Sequence, residues 1–101
     1  MIRFEWDEVK ARRNQRKHGV SFEDAMHVFE DAHALFEQDR VDEMGEERWQ
    51  AIGLAGEVAV LLVAHTVREE PEGEVVRIVS ARRATRKERK RYEEAGTQDL
   101  G

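Results

Sequence analysis

The sequence predicts an α+β domain, and three observations lead there. A capped helical stretch lies near the start, β-branched stretches with turn signals between them fill the second half, and a basic helix with its own capping signal closes the chain. The expected order is a short N-terminal strand, two helices, an antiparallel meander sheet and a C-terminal helix, with the helices on one face of the sheet. Phe4 and Trp6 alternate with Glu5 in the starting strand, and Asp7 is placed to cap a helix running through Lys17. His18-Gly19 ends that helix, because glycine takes the left-handed cap conformation without a steric cost. Ser21-Phe22-Glu23-Asp24 fits a capping box with a shortened acid, and Phe22, Ala25, Met26 and Phe29 then follow at helical spacing. Strands are expected over Ala34–Gln38, Arg48–Leu54, Val58–Val67 and Val75–Ser80. Ala55-Gly56 marks a hairpin turn, and Glu69-Glu70-Pro71-Glu72-Gly73 a solvated loop. Thr85-x-x-Glu88 is a second capping box, opening a helix to about Ala95 with Gly96 as its stop.

At 101 residues the chain is read as a single domain over 1–101, with 95–101 a flexible tail. Hydrophobic residues make up 40% and charged residues 39%, which describes a charged globule rather than a disordered tail. There is no cysteine, so disulfide and thiol chemistry are excluded. No apolar run reaches the roughly 18 residues of a membrane span, and the first residues lack the apolar stretch of a signal peptide, so a cytoplasmic protein is expected.

The formal net charge of −5 hides a segregation. Arg82 to Tyr92 holds seven cations against one carboxylate, a net +6, and Lys10 to Lys17 holds five cations and no acid. Between them, Val20 to Glu57 carries eleven acids and two cations. Two basic blocks on an acidic body point to a local polyanion site, because Lys and Arg that neutralise phosphates release condensed counterions. Arg82 and Arg83 stand just before a helix start, where backbone N–H groups favour anions and guanidinium forks bind phosphate bidentately. Arg77 is the lone charge within Val75–Val79, and Arg68 ends the strand holding His65-Thr66. His18, His27, His33 and His65 show no metal-ligand spacing, so no metal or cofactor is expected, and His65 reads as a satisfied core histidine. Phosphate-binding loops and serine-nucleophile motifs are missing too.

Taken together, Phe4-Glu5-Trp6-Asp7, Lys10-x-x-x-Asn14-x-x-Lys17-His18-Gly19-Val20-x-Phe22-x-x-Ala25, Glu47-Arg48, Gly53, His65-Thr66-x-Arg68 and Arg77-Ile78-x-Ser80-Ala81-Arg82-x-Ala84-Thr85-x-x-Glu88-Arg89-x-x-Tyr92 resemble the BrnT toxins of type II toxin–antitoxin modules, over about residues 4–94. Ala11 and Asp31-Ala32 depart from that pattern, which often has Asn and Asp-Pro there. The resemblance implies a RelE-like fold and a metal-independent endoribonuclease that inhibits translation. It also implies a BrnA-like ribbon-helix-helix antitoxin, operator DNA bound only through the toxin–antitoxin complex, and a monomer or dimer within that complex. In such chemistry the RNA 2′-hydroxyl attacks the adjacent phosphate, so the protein supplies charge and proton transfer. The expected catalytic residues are Arg68, Arg77, Arg82 and Tyr92, the last as a proton donor or a base-stacking ring, with a cluster of arginines able to lower its pKa. Lys17, His18, Arg83, Lys87 and Arg89 are the expected RNA and phosphate contacts. A non-enzymatic module that binds nucleic acid or a protein partner through the basic C-terminal helix is the alternative.

Overall fold

In the computed structural model, which describes residues 1–41, 43–56 and 59–98, a five-stranded mixed sheet is built in the order β1-β5-β4-β3-β2. β2 (Leu35–Val41), β3 (Glu47–Ala55), β4 (Ala59–Glu70) and β5 (Gly73–Arg83) form the antiparallel meander, and β1 (Ile2–Glu5) adds parallel to the outer edge of β5. The strands run longer than expected: β4 continues to Glu70 and β5 starts at Gly73, so the acidic loop shrinks to a tight turn. Val58, the expected start of β4, lies outside the described residues.

Helix α1 (Glu8–His18) has both of its sequence caps: the Asp7 carboxylate accepts from the Val9 and Lys10 N–H groups, and Gly19 takes a left-handed conformation with φ 70°. Helix α2 (Phe22–Met26) is capped by the Ser21 hydroxyl, which accepts from Asp24 N–H. It is shorter than the expected apolar spacing through Phe29, because the chain tightens into a 3₁₀ turn over His27–Glu30. That turn drives Val28 into full burial against Gly53, where a Cβ would stand 3.0 Å from Val28 Cγ1. Helix α3 (Arg86–Gln98) opens on the Thr85/Glu88 capping box, with bonds of 2.8 and 3.2 Å running in both directions. It runs past the expected stop at Gly96, which lacks the left-handed conformation that a glycine stop needs. Residues 95–98 of the expected tail are therefore helical, and 99–101 lie outside the described residues.

The helices do not share one face. Leu61 and Val63 of β4 join Val20, Phe22, Ala25, Val28, Ala51, Val76, Ile78 and Ala81 in the larger core cluster, under α1, α2 and the 3₁₀ turn. Leu62, between them, packs with Ile52 and Tyr92 in a second cluster. Side chains alternate across a strand, so α3 covers the opposite face of the sheet. His65 sits in the larger layer, only 2% exposed, with Nδ1 3.1 Å from the Val63 carbonyl and its ring edge-to-face with Phe29. Burial pulls its pKa below the ordinary value, as a core histidine requires.

Candidate functional site

The free part of the α3 face carries the expected arginines, and an irregularity of β5 puts them there. Arg77 and Arg82 are five residues apart and would point to opposite faces of a regular strand. The register between β4 and β5 steps from Ala64↔Ser80 to His65↔Ile78, leaving Val79 as an extra residue. This bulge restores the phase, so Arg77 (opposite Thr66) and Arg82 (opposite Leu62) emerge on the same side. Arg68 lies two residues beyond Thr66 and shares that side, as does Glu5, which is opposite Arg77 in β1.

Two arginine–carboxylate groups result. In the first, Glu5 accepts both terminal nitrogens of Arg68 at 3.0 Å and Arg77 Nη1 at 3.0 Å, while Arg68 Nε donates to Glu70 at 2.9 Å. The hydrogen bonds from Arg68 and Arg77 hold the Glu5 pKa down to about 2, and those to Glu5 and Glu70 raise that of Arg68. In the second, Arg82 forks onto both oxygens of Glu88 at 2.8 and 3.0 Å. That fork, assisted by the Thr85 bonds, sets the Glu88 pKa at about 2 against the cost of burial. The Arg68, Arg77 and Arg82 side chains remain 39–49% exposed, open to an incoming anion. At roughly 3.3 Å per residue, Arg77 and Arg82 stand about 15 Å apart along β5, a spacing suited to different phosphates of one strand.

Tyr92 behaves otherwise. It is 9% exposed, packs on Ile52 and Leu62, and donates its hydroxyl proton to Asp31 Oδ2 at 2.5 Å. The expected depression of its pKa is reversed: burial first, then the bond to the Asp31 carboxylate, push it up to about 12. The nearest charge is an anion rather than an arginine. Asp31 in turn stays below the usual carboxylate range despite its burial, because Leu54 N–H, the Tyr92 hydroxyl and His33 N–H all donate to it.

The expected RNA contacts fall into two separate places. Lys17 and His18 line a cleft of about 240 Å³ with Lys10, Arg13 and Asn14 of α1 and the bulge residues Val79 and Ser80. Residues 10, 13, 14 and 17 recur at helical spacing, so one face of α1 meets the edge of β5. Arg83 and Arg89 line another cleft, of about 260 Å³, between the β3–β4 hairpin and α3, together with Glu93. Lys87 is exposed on the first turn of α3. Arg91 is tied to Glu37 of β2 at 2.7 Å, so the basic run is partly neutralised within the fold. Glu5 and Asp31 are partners that sequence reasoning missed; their arginine and tyrosine contacts lie 61 to 72 residues away, and the signals they carried were Glu5's place in the Phe4-Glu5-Trp6-Asp7 block and Asp31's match to the Asp of the family's Asp-Pro.

A family model described as "Ribonuclease toxin, BrnT, of type II toxin-antitoxin system" matches residues 6–88. The chain belongs to the BrnT family. The match takes in Arg68, Arg77, Arg82 and Glu88, and leaves out β1, which supplies Glu5, and α3 beyond Glu88, which supplies Tyr92. The BrnT fold is also evident in three dimensions. The 1.1 Å crystal structure of the Brucella abortus ribonuclease toxin BrnT is similar to this chain with a TM-score of 0.64 and 24% identity, covering 85% of this chain and 100% of that one. No curated protein matches the chain in sequence. As a BrnT toxin of a type II system, the chain is the ribonuclease component, with RNA as substrate and an antitoxin as partner. Among the described residues no helix is long and apolar enough to cross a membrane.

Proposed function

We propose that the chain is a metal-independent, RelE-like endoribonuclease that inhibits translation by cutting RNA in the cytoplasm. The 2′-hydroxyl attacks the neighbouring phosphodiester and leaves a 2′,3′-cyclic phosphate and a 5′-hydroxyl. The observation that carries this reading is the pair of arginine–carboxylate groups on one open sheet face. Arg77 and Arg82 meet phosphates of the bound strand, and Arg68 adds charge beside Arg77. A phosphorane gathers negative charge as it forms, and fixed guanidinium groups stabilise it without reorganising. Lys17 and His18, with Lys10 and Arg13, guide the backbone at the edge of β5; Arg83, Lys87 and Arg89 attract it more diffusely. Tyr92 anchors α3 rather than donating a proton to RNA, since its own proton is committed to Asp31. The partner is a BrnA-like ribbon-helix-helix antitoxin, through which a complex with one or two toxin chains reaches operator DNA.

The test is cleavage of a defined transcript by purified protein in chelator, with end-group analysis. Fragments should carry 5′-hydroxyl ends, and Arg77→Ala and Arg82→Ala should slow their appearance about 100- to 1000-fold while the fold, followed by circular dichroism, is kept. Ends bearing 5′-phosphate, loss of cleavage in chelator, or unchanged rates in both variants would each overturn the mechanism. Salt-sensitive RNA binding without new ends would favour the non-enzymatic module instead.

A further inference from the structure

The proposed reaction needs an acceptor for the 2′-hydroxyl proton, and the geometry points to Glu5. This rests on the ribonuclease reading above and goes further by assigning the general base. The other groups near the arginines are engaged elsewhere, beginning with Asp7, which feels the charge of Arg77 but accepts the Val9 and Lys10 N–H groups as the cap of α1. Tyr92 is buried with its proton on Asp31, and Glu88 is only 14% exposed, with one oxygen also accepting the Thr85 N–H that opens α3. His65 is sealed in the core on the opposite face, and His18 stands on α1 among Lys10, Arg13 and Lys17. Glu70 serves Arg68 from the end of β4.

Glu5 differs from all of these. Its carboxylate is 30% exposed and, among the described residues, rests on the side chains of Arg68 and Arg77. Arg68 grips it with a two-point fork and is itself braced by Glu70, so the carboxylate is held in one orientation. Arg77 gives Glu5 a single N–H from Nη1, whereas a guanidinium has five N–H donors. The rest of that fork is open to a phosphate, which would then sit against the same guanidinium as the Glu5 carboxylate. In RNA the attacking 2′-oxygen is on the ribose bearing that phosphate, so it arrives beside Glu5. Arg77 thus orients phosphate and base together, and Arg68 is a positioning residue acting through Glu5.

In the step itself, Glu5 takes the 2′ proton as the 2′ oxygen bonds to phosphorus. The P–O5′ bond breaks with its electron pair on O5′, which takes a proton from water, and the resulting hydroxide recovers the proton from Glu5. The products are the cyclic phosphate and the 5′-hydroxyl, with no net change in the enzyme. At rest the two arginines make Glu5 a weak base. A phosphate drawing on Arg77, with its own negative charge alongside, offsets part of that hold and raises the basicity of the carboxylate.

The test separates rate from affinity. Glu5→Gln keeps the shape and removes the charge. Its single-turnover cleavage of a short RNA should fall about 100- to 10,000-fold, the range typical of a lost general base. Its affinity for the same oligonucleotide with a 2′-deoxy substitution at the cut site should hold or rise, because two arginines lose their internal anion. Glu5→Asp restores a carboxylate and should recover at least tenfold of the rate, and Arg68→Ala should lower the single-turnover rate at saturating RNA by more than it weakens affinity for the 2′-deoxy oligonucleotide. A Glu5→Gln rate within tenfold of wild type, or rate and affinity falling together, overturns the assignment while leaving the ribonuclease reading intact. Should Glu5→Gln fail to fold, a folded Glu5→Asp without cleavage and with weakened binding overturns it as well. Wild-type protein that yields no 5′-hydroxyl ends overturns both.

Discussion

Replacing Asn14 with Leu should unhinge α1 from the sheet. β1 ends at Glu5 opposite Arg77, so beyond that point the outer edge of β5 has no strand beside it among the described residues. Asn14, 7% exposed, takes the place of a strand residue there: its Oδ1 accepts Ala81 N–H at 3.2 Å, and its Nδ2 donates to the Ala81 carbonyl at 2.9 Å and the Val20 carbonyl at 3.0 Å. Leucine has a similar size and none of these groups. At about 1 kcal/mol for each bond, a low figure because buried backbone groups are left unpaired, the loss is about 3 kcal/mol. That is a large share of the 5–15 kcal/mol or so by which such a domain is stable, and it should lower Tm by roughly 12–24 °C. The assay is urea unfolding followed by circular dichroism, made on an Arg77→Ala background so that the toxin can be produced in quantity. Asn14→Asp should lose at least as much, since a carboxylate cannot donate to two carbonyls. A loss below about 1 kcal/mol with an unchanged m value would refute the role of Asn14 as a strand substitute.

The remaining predictions concern titration. Tyr92 is the sole tyrosine, so ultraviolet absorbance reads it directly. The folded protein should reach half ionisation of the phenol only near pH 12, and Asp31→Asn should bring the transition down; a midpoint near pH 10 in folded protein would contradict the buried contact. Glu5 and Glu88 have folded pKa values of about 2 against an ordinary 4.5. A depressed value stabilises the fold above the unfolded pKa and is lost as pH falls toward the folded one. The urea midpoint should therefore stay level down to about pH 5 and drop between about 4.5 and 2, with Glu88→Gln flattening that drop. A midpoint independent of pH across this window would contradict both ion pairs.

What could be read from the chain was written locally. Asp7 and Gly19 bracket α1, and Thr85 with Glu88 opens α3, because caps involve residues within a turn of each other. The β-branched runs of β4 and β5 were equally plain. Less legible was α2, whose apolar spacing continues through Phe29 although the chain tightens after Met26; the close approach of Val28 to Gly53 is a tertiary demand. The basic run was visible as charge, but its partition among Glu88 and Glu37 was not, since Glu37 pairs with Arg91 across 54 residues.

By itself the sequence determined the element types, the family and the arginines worth watching, all of which depend on short-range pattern and residue identity. Tertiary structure alone decided which way those arginines face and what they pair with. The bulge at Val79 turns Arg77 and Arg82 to one face, and parallel pairing with β1 brings Glu5 between Arg68 and Arg77. The folding of α3 onto the second sheet face hands the Tyr92 proton to Asp31. Each of these depends on register and on contacts far apart along the chain, and a one-residue shift in register would reverse the side of every group involved.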